Sequence, residues 1–313
     1  MFALAAASLG FAQAKAAPMA VFANGKHSVT IPLDIDNNII RMNVRVNGSR
    51  PLKMIFDTGA TTTGIDEHFV KELGLTTTAD KLKGKGTGGS FTGSYVARST
   101  LSVDGVEVTN QPLAAFKINA PPGFDFDGII GYDFIASFVV EIDYVAKIMT
   151  LSDPKTYVYR GRGAVIPLIL AARKTPLIDT TFEIAGRAPL AAKLEVDSGF
   201  DGSFQLNSPV VKKRRLLKLF PTGTKNVSHG PGGDQQDVVV RFRGVRFGRI
   251  KINDPLVALS LAIEGAGATT VYDGLIGGEV LRRFKVIIDC SRKRMILERN
   301  KAFDEPYEED EGE

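Results

Sequence analysis

Apolar and polar positions alternate in many short runs of this chain, broken by glycine and proline, which is the pattern of strands and turns. Residues 95–108 (YVARSTLSVDGVEV) and 238–252 (VVVRFRGVRFGRIKI) alternate around a turn and predict paired strands. Several elements recur in the same order. Ile31-Pro32-Leu33 returns as Ile166-Pro167-Leu168, and Val44–Gly48 returns as Phe182–Gly186. Residues 126–151 (FDGIIGYDFIASFVVEIDYVAKIMTL) parallel residues 272–297 (YDGLIGGEVLRRFKVIIDCSRKRMIL) at a constant offset of 146. Such an ordered recurrence predicts two lobes related by a pseudo-two-fold axis, joined through residues 152–164. Short helices are expected near residues 66–74, capped by Asp66 and Gly74, and near 208–219, capped by Ser208 with Pro209 in the first turn. Two more are expected at 132–138 and 279–284.

Against this background, residues 54–66 (MIFDTGATTTGID) read oddly for a strand and its turn. Apolar Met54, Ile55 and Phe56 run straight into Asp57, then Thr58, Gly59 and Ala60. Residues 194–206 (LEVDSGFDGSFQL) repeat the pattern with Asp197, Ser198 and Gly199. Each acid turn is followed by a glycine-rich segment and then by an apolar pair with glycine, Ile129-Ile130-Gly131 and Leu275-Ile276-Gly277.

Phe56-Asp57-Thr58-Gly59-Ala60 resembles the active-site turn of retropepsin-like and pepsin-like aspartic proteases, and Ile129-Ile130-Gly131 resembles the second signature of that family. Both occur twice, in order, over residues 27–300. The resemblance implies an all-β fold with a few short helices, made of two pseudo-symmetric acid-protease β-barrel lobes with the active site at their interface. It implies that Asp57 and Asp197 share one proton, because two like charges at contact distance cannot both ionise cheaply. The charged acid would take a proton from water and the neutral one would donate to the peptide carbonyl. Thr58 and Ser198 would bond across the interface, while Gly59 and Gly199 would let the backbone turn tightly. A catalytically silent peptide-binding or inhibitory protein on the same scaffold is the alternative.

The glycine-rich segment 84–89 formally fits G-x-G-x-x-G, but a strand-like run follows it where a dinucleotide fold needs a helix. It is read as a hairpin flap, with Gly88, Gly89, Phe91 and Tyr95 as candidates for substrate binding. The corresponding residues 229–236 are polar and carry no aromatic, so one working flap is expected. In the second turn Phe200 replaces Ala60; it would either narrow the cleft or point into the core. Asp201 reads as a turn residue before Gly202 or as a third acid near the pair. His229 reads as a solvated loop histidine, and Cys290 as a small buried hydrophobe.

Composition narrows the rest. A single cysteine excludes an internal disulfide, and three scattered histidines offer no metal motif, so neither metal nor cofactor is expected. No apolar run is long enough for a membrane span. The first residues are small and apolar and end in Ala12-Gln13-Ala14, which resembles a secretory cleavage site and predicts a periplasmic or secreted protein. Residues 151–303 carry a net charge of +12, including the run Lys212–Lys218, whereas residues 304–313 carry seven acids. Without interleaved aromatics the basic run reads as a solvated helix face, with the acidic tail as its expected neutralising partner, and not as a nucleic-acid site. The expected organisation is therefore a leader at 1–24, lobes at 25–153 and 154–303, and an acidic disordered tail at 304–313. Such a chain is expected to work as a monomer on peptide or protein substrates.

Overall fold

The computed structural model describes residues 17–118, 124–170 and 175–307, and it is mainly β with a few short helices. Strand Ile39–Val46 shows why: residues on one face of it, such as Ile40, Met42, Val44 and Val46, are buried, while Asn43 and Arg45 point to water. Three sheets result. A nine-stranded sheet belongs to the first half of the chain and a ten-stranded sheet to the second.

A six-stranded sheet joins the two. At its centre Val139–Asp143 of the first half pairs antiparallel with Phe284–Asp289 of the second, from Val139 opposite Asp289 to Asp143 opposite Lys285. The two edges are Ser28–Pro32 and Ala164–Pro167. Pro32 and Pro167 each lack an N–H, and an edge strand is where that missing donor is tolerated. The recurring Ile-Pro-Leu triplets thus end on opposite edges of one shared sheet.

Each lobe then places a short parallel pair at its heart. In the first, Leu52–Phe56 lies beside Gly128–Ile130, with Met54, Ile55 and Phe56 opposite Gly128, Ile129 and Ile130. In the second, Leu190–Val196 lies beside Gly274–Ile276, with Leu194, Glu195 and Val196 opposite Gly274, Leu275 and Ile276. Phe56, Ile130, Val196 and Ile276 are fully buried, so the strand that delivers each acid is clamped by core packing.

Several boundaries differ from the sequence reading. Met19–Phe22, assigned to the leader, forms an edge strand on Val106–Phe116, so part of residues 1–24 belongs to the first lobe's sheet. Residues 1–16, including the cleavage-like site, lie outside the described residues. The tail does not begin at 304 as free chain: Tyr307 is buried, with Arg283 stacked on its ring at 3.8 Å. Glu305 bonds Arg282 at 2.6 Å, so this part of the tail serves the lobe's own surface and not the run Lys212–Arg215, which is exposed. Residues 308–313 lie outside the description.

The four short helices are His68–Glu72, Tyr132–Ile135, Ser208–Arg214 and Gly278–Leu281. Asp66 accepts the amide of His68 but also that of Ile118, and Asn207, not Ser208, stands at the start of the third helix. Among the described residues no helix is long and apolar enough to cross a membrane.

Candidate active site

The two acid turns meet where the lobes meet. The amide of Asp57 donates to Ile130 O at 3.0 Å, and that of Asp197 donates to Ile276 O at 3.0 Å. Both carboxyls are half-buried at the floor of the cleft and hydrogen-bonded to one another. The turns are crossed over. A Cβ built on Gly59 would lie 2.7 Å from the Asp197 carboxyl carbon, and one built on Gly199 would lie 2.6 Å from that of Asp57. The physical reason for these glycines differs from the tight-turn reading, since neither has a positive φ. Glycine is needed because each turn carries the opposite acid on its backbone.

Thr58 and Ser198 fix this arrangement through four bonds beneath the acids. The Thr58 hydroxyl donates to Val196 O at 2.6 Å and accepts the Ser198 amide at 3.0 Å. The Ser198 hydroxyl donates to Phe56 O at 2.7 Å and accepts the Thr58 amide at 3.1 Å. Both side chains are buried, so every bond is made in a low-dielectric interior where losing it is expensive.

The pair is chemically unequal. Asp57 accepts the amides of Gly59 at 2.8 Å and Ala60 at 2.9 Å on one oxygen, which favours its charged form. Asp197 accepts only Gly199, at 2.9 Å; the amide of Phe200 turns to the Asp197 backbone carbonyl instead. Burial raises both acids above the ordinary aspartate range. Asp197 is raised furthest, first by burial and then by the negative charges of Asp57 and Glu195. These surroundings favour the charged form at Asp57 and the neutral form at Asp197.

A network behind the first turn holds it in place. Asp133 accepts both the amide and the hydroxyl of Thr63, at 2.9 and 2.6 Å, and the same hydroxyl accepts the amide of Gly131 at 3.1 Å. Burial pushes the Asp133 carboxyl up to about 6, against the lowering effect of its hydrogen bonds with Thr63.

The acids open onto a cleft of about 1300 Å³. Two hairpins reach over it, Thr77–Lys85 with Ser90–Val103 from the first lobe and Thr224–Gly230 with Gly233–Arg241 from the second. The structure departs here from the expectation of one flap. The tips interlock: a Cβ on Gly86 would lie 2.2 Å from Pro231 O, and one on Gly88 would lie 2.1 Å from the carbonyl carbon of Gly233. Consequently Gly88 and Gly89 pack on the opposite hairpin and on Glu264, whereas Gly86 and Thr87 line the cleft. Phe91 and Tyr95 do line it, and Phe91 also packs on Phe116 with the rings tilted and their centres 5.0 Å apart. Ala60 packs at the margin of the same apolar cluster.

The remaining uncertain positions are resolved by contacts. Phe200 does both things weighed for it, packing on Tyr272 and Leu275 while lining the cleft. Asp201 accepts Asn37 Nδ2 at 2.8 Å, tying the second turn to a loop of the first lobe. His229 is exposed on the second hairpin and bonds Asp234 at 2.7 Å. Cys290 is buried, and burial pushes its thiol up to about 12. The third acid at the site is Glu195, which the sequence reading passed over. Its signal was an acid inside the apolar strand Leu194-Glu195-Val196, at the place where the first lobe has Ile55.

Two lobes, two crossed Asp-Thr/Ser-Gly turns and hairpins over one cleft are the arrangement that the resemblance to aspartic proteases implies. Comparison with known proteins agrees. A family model described as aspartyl protease matches residues 42–134. The fold is similar to the crystal structure of the aspartic proteinase from Irpex lacteus, with a TM-score of 0.58 at 15% identity, covering 89% of this chain and 99% of that one. No curated protein sequence gives a significant match. The sequence match to the aspartyl protease model lies within the first lobe, and the likeness of fold extends over the whole chain.

Proposed function

We propose that this protein is an aspartic endopeptidase that hydrolyses peptide bonds by means of Asp57 and Asp197. The observation that carries the reading is the hydrogen-bonded carboxyl pair at the floor of the cleft, with one acid favoured as charged and the other as neutral. In the proposed reaction Asp57 removes a proton from a water molecule lying between the two acids. The resulting oxygen attacks the peptide carbonyl carbon while Asp197 gives its proton to the carbonyl oxygen, producing a neutral tetrahedral diol. A proton then passes from Asp57 to the amide nitrogen, the C–N bond breaks, and a diol hydroxyl returns a proton to Asp197. The pair ends in its starting state.

Both acids come from one chain, so the proposal needs no second copy. The interlocked hairpins would part to admit an extended segment and close behind it, excluding bulk water but for the one molecule between the acids. Action outside the cytoplasm belongs to the same proposal and is checked separately, by locating the protein in fractionated cells. The decisive experiment is cleavage of casein or an internally quenched peptide from acidic to neutral pH, with and without pepstatin. Wild type is expected to cleave and Asp57→Asn to be inert; equal inertness of the two leaves only the peptide-binding alternative.

A further inference from the structure

Residues 202–233 of the second lobe contain no acid and six bases, Lys212, Lys213, Arg214, Arg215, Lys218 and Lys225. The equivalent stretch of the first lobe is balanced. Ile65 pairs with Gly128 and Ala115 as Leu206 pairs with Gly274 and Leu259, which matches residues 61–92 to this stretch at an offset of 141. Those residues carry four acids and four bases. The helices that follow the two strands end alike at the same offset. Gly74 donates its amide to Lys71 O at 3.2 Å, and Arg215 donates its amide to Lys212 O at 3.1 Å. Both residues are left-handed, with φ of +61° at Gly74 and +54° at Arg215. Glycine adopts that conformation freely, whereas a side chain there is strained. The second lobe thus keeps an arginine where glycine would fold more easily, in the midst of four other cations.

The helix end accounts for part of this charge, since Lys212, Lys213 and Arg214 occupy its last turn and complement its dipole. Arg215 and Lys218 stand beyond the helix, and cations crowded together repel. All five are exposed, and no ion pair or side-chain hydrogen bond joins any of them to another described residue. The segment beneath them is firmly held. Leu216 is buried, and Phe220 stacks on Phe242 with ring centres 5.3 Å apart. Between the cations Leu217 is 38% exposed. A rigid ledge of uncompensated cations with an apolar side chain among them fits a surface that presents phosphates above an oily layer.

We propose that this ledge docks on the anionic headgroups of a lipid membrane, the five cations meeting phosphates and Leu217 reaching the acyl-chain boundary. The run leads through residues 219–223 into the hairpin strand Thr224–Gly230, so a membrane held here stands beside one wall of the cleft. The inference is independent of the proteolytic reading, because its readout is binding. The experiment is co-sedimentation of the full chain with vesicles of phosphatidylcholine, alone or with about one third phosphatidylglycerol, at about 0.1 M salt. Wild type is expected to bind the charged vesicles at least about tenfold more tightly than the neutral ones. Release is expected at about 1 M salt, where the screening length shrinks to about 3 Å. Lys212→Gln/Lys213→Gln/Lys218→Gln should lose about 10²-fold, at about fivefold per charge. Arg160→Gln/Arg162→Gln/Lys301→Gln removes three exposed cations elsewhere on the chain and should change binding less than about threefold. Arg215→Gly should weaken binding about fivefold while raising the urea midpoint, a combination that a purely structural arginine would not give. Leu217→Ser should weaken vesicle binding about threefold and leave binding of a short duplex DNA unchanged. Equal binding of neutral and charged vesicles, unchanged vesicle binding in the ledge variants, equal losses from the two triple variants, or tighter binding of duplex DNA than of charged vesicles overturns the proposal.

Discussion

The two acid turns are near copies in sequence and unequal in surroundings. Asp57 sits among donors, with two backbone amides on one oxygen, whereas Asp197 has one amide and a second carboxylate, Glu195, on its own strand. The same contrast extends behind them. Asp133 in the first lobe is buried against Thr63, while its counterpart at the 146-residue offset, Glu279, binds Arg282 at 2.7 Å and Arg283 at 2.6 Å. A near-symmetric scaffold thus surrounds its two acids unequally by changing a few flanking groups. Symmetry positions the acids, and local asymmetry sets how strongly each is held towards its charged or neutral form.

The comparison can be broken at several points. Replacing either acid removes the pair outright: Asp57→Asn and Asp197→Asn are each expected to lose at least about 10³-fold in kcat, measured with a quenched peptide. Next, Gly59→Ala and Gly199→Ala should each cost at least about 10²-fold in kcat, because a Cβ must push the opposite carboxyl out of place. Equal losses are expected from the two, since each glycine faces the other lobe's acid; a loss confined to one of them would show that the crossing is not reciprocal.

Ser198→Ala comes third, as a stability effect. It strands the buried Thr58 amide and Phe56 carbonyl, and urea unfolding should show a loss of about 2–4 kcal/mol. The smallest effect concerns Asp133 and pH. Its carboxyl is raised to about 6 in the fold, against 3.8 as the reference for an unfolded chain. Because the folded value is the higher, its contribution is fully present below about pH 4 and is lost as pH rises through about 6. That amounts to at most about 3 kcal/mol. Asp133→Asn keeps an acceptor for Thr63 and is expected to flatten stability between pH 4 and pH 6, followed as urea midpoints. An unchanged pH profile in this variant would remove Asp133 as the source of the dependence.

Much of the architecture was legible along the chain because it is written in local patterns. The alternation of residues 95–108 and 238–252, the paired apolar-apolar-Gly segments and the duplicated acid turns identify strands, turns and the acids themselves without reference to distance. Residues whose meaning lies in a partner far away were read poorly. Gly59 and Gly199 were expected to serve their own turns, yet each makes room for the acid of the other lobe. Gly88 and Gly89 were assigned to substrate, but they meet Gly232 and Gly233 of the other hairpin.

The sequence by itself determined which groups this protein possesses: two aspartates at strand ends, hydroxyls after them, and glycines where nothing larger is tolerated. Only the tertiary structure decided that the two carboxyls meet in unequal surroundings, that each glycine makes room for the opposite acid, and that both hairpins close over one cleft. The reason is physical. Backbone conformation follows largely from neighbours in the chain, whereas burial and Coulomb energy depend on distance through space, and only folding sets those distances.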